Sequence, residues 1–148
     1  MQANRIRPIA IGIFRRGESI FVAECEEPSR IFYRPLGGGI EFGERGHEAL
    51  ARELIEEIGA EIRDVRYLCT LENIFTYEGE TGHEIVQVYE AGFRNSAFYE
   101  QDSFNGIEAL ADELIDFKAV WKPLSDFGPG HPPLYPDGLL EMLAGGET

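Results

Sequence analysis

Glu53, Glu56 and Glu57 stand at helical spacing in the run Arg52-Glu53-Leu54-Ile55-Glu56-Glu57-Ile58-Gly59. Positions i, i+3 and i+4 share one face of a helix, so the three carboxylates project together. Like charges at that spacing repel and destabilise the helix that carries them. A cation among them removes the repulsion, and an all-oxygen donor set selects a hard ion, Mg²⁺ or Mn²⁺, over zinc. Such an ion lowers the pKa of a bound water and polarises the oxygens of a bound ligand. Upstream lie Gly37-Gly38-Gly39 and then Glu44. Glycines permit unusual backbone angles and close approach by a ligand. By composition alone a helix of this kind is a solvated surface element; the glycine cluster and Glu44 ahead of it favour the metal.

The elements that must hold these residues follow from the same run. Ala51, Leu54, Ile55 and Ile58 recur at i, i+3, i+4 and i+7, which predicts an apolar stripe facing the core, with the acids on the other side. Gly59 after the last apolar turn suits a left-handed C-terminal cap. Gly43 and Gly46 predict a loop over 43–46, with the helix starting near Gly46 or His47. The whole run is glycine loop, acidic loop, metal-binding helix.

In these positions the chain resembles the Nudix hydrolases. Gly38, Glu44, Arg52, Glu53, Leu54, Glu56, Glu57, Gly59 and Ala60 fill the places of the Nudix box in register, with Ala60 smaller than the usual aliphatic. The approach differs slightly: Pro35-Leu36 stands where Leu-Pro is frequent, and Phe42 where a proline is frequent. The resemblance implies an α+β fold, an α/β/α sandwich with a mixed sheet, the box forming a loop-helix-loop at its edge. It implies metal ligation by Glu53, Glu56 and Glu57, completed by the Gly37 carbonyl. Glu53 or Glu56 would serve as general base. Arg52 would pair with a box carboxylate such as Glu44 and fix its direction. Gly38, Glu44 and Gly59 are then structural members of the box. The implied reaction is attack of water on phosphorus in a nucleoside diphosphate linked to another group X, a nucleoside triphosphate or a nucleotide sugar. Such transfer rests on positioning and charge neutralisation, without a covalent nucleophile. The family often adds one acid from a late loop, and Glu100, Asp102, Glu108, Asp112 and Glu113 are the candidates.

The chain has 148 residues, a length that suits one domain spanning 1–148 with a sizeable core. No apolar run approaches the ~20 residues needed to cross a bilayer. The segment Met1–Arg5 lacks the pattern of a secretory signal. Cys25 and Cys69 form no disulfide framework and no metal motif, which predicts reduced thiols. A cytoplasmic protein is expected. The net charge of −14 disfavours nucleic acid and anionic membranes as partners; a small nucleotide is the partner the resemblance implies. Residues 1–34 carry six arginines against four acids, a balance of +2 that leaves −16 for the rest. Of those arginines Arg34, three residues before Gly37, is the candidate for a contact with substrate phosphate.

Apolar and alternating runs predict strands over 8–14, 19–23, 31–33, 39–42, 65–77 and 83–93, with the last two joined as a hairpin through Glu78-Gly79-Glu80-Thr81-Gly82. Residues 94–106 are expected as loop, 107–115 as one or two helical turns, and 117–124 as a strand. Residues 126–133 are expected as a rigid loop and 136–143 as a closing helix with Pro136 in its first position. His83 and Glu84 could form a catalytic pair, but strand alternation puts them on opposite faces; His47 and His131 suit the surface, and Phe75, Tyr77, Tyr89 and Trp121 suit core packing better than base stacking. Two other classes stay in view. One is a nucleotide-binding sensor on the same fold without turnover, which usually comes with lost box acids. The other is a pyrophosphohydrolase acting on RNA ends, which the charge opposes. A prenyl diphosphate isomerase would need an activated cysteine, and neither Cys25 nor Cys69 has that setting. The identity of X, the number of metals and homodimerisation are left open.

Overall fold

The computed structural model describes residues 4–27, 30–77, 79–110 and 113–145, apart from the side chains at 27, 77 and 110. Strand β1 (Ile6–Ile13) organises the molecule. It pairs antiparallel with β5 (Gly37–Gly39) on one side and parallel with β7 (Glu80–Phe93) on the other. β6 (Ile62–Tyr77) closes this four-stranded mixed sheet against β7. The second sheet runs β2 (Arg15–Arg16), β3 (Ser19–Glu27), β9 (Glu113–Pro123) and β8 (Ser103–Leu110), with β4 (Arg30–Pro35) also on β3. Helix α1 is Gly46–Ile58 and α2 is Leu139–Gly145.

Alternation along β1 explains why a helix lies on each side. Successive strand side chains point to opposite faces. Ala10 and Phe14 join one core with Leu50 and Leu54 of α1, Tyr89 and Phe93. Ile11 and Ile13 join the other with Val86, Val88 and Leu139 and Leu143 of α2. The first core is aromatic: Phe14 and Phe93 stack at 4.3 Å, and Phe21 meets Trp121 edge-on at 4.9 Å. The result is the α+β sandwich with a mixed sheet.

Several expectations need correction. Residues 107–110 and 113–115 are not helical: β8 and β9 pair antiparallel with Ile107 opposite Asp116 and Glu108 opposite Ile115, and 111–112 lie outside the described residues. Ile107, Leu114 and Ile115 are exposed, so the segment has no buried helix face. Residues 103–106, expected as loop, belong to β8, and 96–99 form a 3₁₀ turn. Residues 40–42 are outside any strand. The closing helix starts at Leu139, not Pro136. Glu78 of the expected turn lies outside the described residues.

The stripe on α1 also differs. Leu54 is buried, but so are Ala49, Leu50 and Glu57, while Ile55 is 53% exposed. The inward face is centred on Leu50, Leu54 and Ile58, spaced i, i+4, i+8, which turns Ile55 about 100° away from Leu54. The acidic and apolar faces are therefore adjacent, not opposite. Gly59 is left-handed at φ 70° and donates to the carbonyls of Ile55 and Leu54, closing the helix as expected.

Candidate active site

Two glycines set the relation between β5 and α1. At Gly37, φ is 149°, and a Cβ would lie 2.0 Å from the Ala10 carbonyl oxygen. At Gly38, a Cβ would lie 2.4 Å from Cδ of Glu53. The missing side chain at 38 is what lets the Glu53 carboxyl rest on the strand.

Arg52 then fixes the acids around it. Its Nε donates to Glu44 Oε2 at 2.7 Å and its Nη2 to Glu44 Oε1 at 2.9 Å. Nη2 also donates to the Gly39 carbonyl at 3.0 Å, and Nη1 to Glu53 Oε2 at 3.0 Å and Glu56 Oε1 at 3.4 Å. One guanidinium thus ties the glycine strand, the acidic loop and the helix together. The Arg52 hydrogen bonds, with the Glu41 backbone N–H, hold the Glu44 carboxyl down at about 2. The Glu44 bond in turn raises Arg52.

Glu57 is the unsatisfied member. It is 7% exposed, and its Oε1 is buried without a hydrogen-bond partner. Burial pushes its carboxyl up to about 9; Arg34 opposes this, while Glu53 and Glu108 add to it. Burial likewise raises Glu53, against the pull of Arg52. Arg34 spends Nη2 on both oxygens of Glu108, each at 2.8 Å. Desolvation works against its charge, and Glu108, Cys25 and Glu57 outweigh it, so the guanidinium is held above its ordinary value.

A cleft of about 570 Å³ gathers these groups. Gly37, Gly38, Gly39, Glu53, Glu56, Glu57, Arg34 and Glu108 line it together with the apolar Ile9, Ile11 and Val86. Of the late acids, Glu108 alone among the described residues reaches the cleft. Asp102 pairs with Arg16, Glu100 and Glu113 are exposed, and Asp112 lies outside the described residues. Glu108 sits in the hairpin that replaced the expected helical turn, so no spacing signal marked it. Asn73 and Glu84 also line the cleft and were not singled out as functional. Asn73 donates to Glu84 at 3.3 Å and accepts from the Asp137 N–H. Trp121 and Tyr89 are core residues, Phe75 is half-buried, and the Tyr77 side chain is outside the described residues. Neither Cys25 nor Cys69 forms a disulfide.

The donor set fits a hard divalent ion. A buried carboxylate oxygen without a partner, beside a second desolvated carboxyl, lacks positive charge, and every side-chain donor is oxygen. Among the described residues no three carboxylates already converge as a coordination sphere. Glu53 is held by Arg52 and Glu56 is turned toward it.

Sheets, helix and box define the class, and comparison with known proteins agrees. The NUDIX domain family model matches residues 5–138. The chain belongs to the NUDIX family. The NAD-capped RNA hydrolase NudC of Citrobacter koseri is 29% identical over 100 residues, 60% of this chain and 39% of that protein. NudC of Escherichia coli strain K12 is 34% identical over 64 residues, 43% of this chain and a quarter of that protein. The chain therefore spans well under half of these curated relatives. A MutT NUDIX hydrolase from Burkholderia pseudomallei has the same fold, with a TM-score of 0.60 and 21% identity over 86% of this chain and 91% of that one. The E. coli ORF135 protein follows at 0.57 and 19%, over 95% and 90%. Among the described residues no helix is long and apolar enough to cross a membrane.

Proposed function

We propose that this protein is a metal-dependent pyrophosphohydrolase that cleaves a nucleoside diphosphate linked to another group X. The observation that carries the reading is the partnerless buried oxygen of Glu57 beside Glu53, facing a cleft large enough for a nucleotide. Glu53, Glu56 and Glu57, with the Gly37 carbonyl, would hold Mg²⁺ or Mn²⁺. When bound, the ion polarises phosphoryl oxygens and lowers the pKa of water. Arg52 orients Glu53 and Glu56 and keeps Glu44 ionised. Glu53 or Glu56 accepts the proton of the attacking water, and the desolvated setting of Glu53 raises its basicity for that task. Arg34 holds Glu108 beside Glu57, so its first task is to position that acid; a phosphate contact would compete with this pairing.

A screen of nucleoside triphosphates, nucleotide sugars and dinucleotides with Mg²⁺, scored by released phosphate or pyrophosphate, tests the reading. Turnover that stops in chelator and returns with Mg²⁺ or Mn²⁺ is expected. Binding without any turnover would favour the sensor reading. The NudC relatives hydrolyse NAD-capped RNA, which favours dinucleotide pyrophosphates as one arm of the screen and an RNA 5′ end as a second reading.

A further inference from the structure

We propose that Arg7 is the substrate-phosphate clamp of the cleft, and that it trades a carboxylate partner, Glu84, for the substrate. The assignment rests on the pyrophosphohydrolase reading and names a residue for it. Four of the six N-terminal arginines are committed elsewhere. Arg15 bonds Glu90, Arg16 bonds Asp102 and two backbone carbonyls, Arg30 bonds the Tyr135 hydroxyl, and Arg34 bonds Glu108. Arg7 differs in place and in partner. It lines the cleft, and also a second depression of about 330 Å³ together with Arg5, Gly39 and Glu53. Its Nη2 lies 3.6 Å from where a Gly39 Cβ would stand, so the guanidinium lies beside the glycine strand.

The Arg7 contact to Glu84 is long. Nη1 to Oε2 is 3.7 Å, beyond hydrogen-bond range, although the two residues are register partners on β1 and β7. The Arg7 side chain is 57% exposed. Glu84, by contrast, is held by Asn73, itself fixed by the Asp137 N–H. The carboxylate is anchored and the cation is loosely kept. A phosphoryl oxygen beside Glu53 would meet that guanidinium in a charge-assisted bond shorter than the one it leaves. Arginine also suits a bidentate grip on phosphate.

Two variants have opposite expected signs. Arg7→Ala should raise KM for the best substrate about tenfold, the lower end for a hydrogen bond to a charged group, with kcat nearly unchanged. Arg7→Lys should recover part of the loss. Glu84→Gln should lower KM, because the cation is released to the substrate. Arg63→Ala, a surface arginine paired with Asp64, is the control and should match wild type. Calorimetry with an α,β-methylene nucleoside triphosphate and Mg²⁺ reads the same effect as Kd without turnover. An unchanged KM and Kd in Arg7→Ala, or a raised KM in Glu84→Gln, overturns the assignment while leaving the hydrolase reading intact. A wild type that binds the analogue but cleaves nothing sinks the hydrolase reading, and Kd still decides Arg7. A wild type that neither binds nor cleaves overturns both.

Discussion

At Glu57 a carboxyl is buried with one oxygen unpartnered, and its nearest cation, Arg34, is shared with Glu108. The folded protein therefore holds a proton there up to about pH 9, whereas the unfolded chain releases it near 4.5. A raised carboxyl favours folding fully below the unfolded value and loses that contribution as pH rises toward the folded one. In chelator, the melting temperature should fall between pH 5 and 9, and Glu57→Gln should flatten this slope and melt several degrees higher at pH 8 by calorimetry. Glu44 has the opposite sign. Held at about 2, it contributes above 4.5 and loses this as pH falls toward 2. A wild-type slope retained in Glu57→Gln would show that another group carries it. Gly38→Ala places a methyl 2.4 Å from the Glu53 carboxyl carbon. Displacing a ligand's support costs about 10–100-fold in activity. We expect that loss in steady-state rates, with circular dichroism unchanged.

At the scale of elements, α1 is closed by Gly59 at φ 70°. A left-handed conformation costs a residue with a Cβ about 1–2 kcal/mol. Gly59→Ala should lower the melting temperature by about 3–6 °C for a chain of this size, and Gly59→Asn by less. Equal melting of all three proteins would remove the cap from the account. This helix was legible in advance because its signals are local: box spacing, a capping glycine, glycines before it. The exposed Ile55 was misjudged because four apolar residues in a row of turns define two overlapping stripes, and only packing against β1 chooses between them. Residues 107–115 were misjudged for a related reason. The strand over 103–110 is set by its pairing with β9, which follows it in the chain, and no local signal carries that pairing. Glu108 was one of five equivalent acids until that register placed it opposite Ile115 and against Arg34.

For the whole molecule, charge separates the two substrate readings. A net charge of −14 repels a polyanion over its length, while a dinucleotide meets mainly the local field of the cleft. Free NAD should therefore be cleaved at least as efficiently as the same cap on RNA at low salt. The gap should narrow as monovalent salt rises, because screening shortens to about 8 Å at 0.15 M. A capped RNA preferred at low salt would overturn this charge argument. The acidic balance was legible from composition; that four of the N-terminal arginines are spent on internal pairs was not, because their partners lie from 74 to 105 residues away.

The parallel pairing of β1 with β7 joins Ile6 to His83 and Ile13 to Glu90. Parallel, long-range pairing forms slowly, since the intervening loop must close before any contact repays it. During synthesis, β1, the glycine strand and the box emerge first, yet β1 has its central neighbour only after β7 has left the ribosome. The acidic helix can coil early, but the glycine strand on which Glu53 rests is held to β1, and β1 lacks its other neighbour until β7 arrives. A nascent chain stopped short of residue 80 would carry every residue of the box and still lack the sheet that brings them to one place.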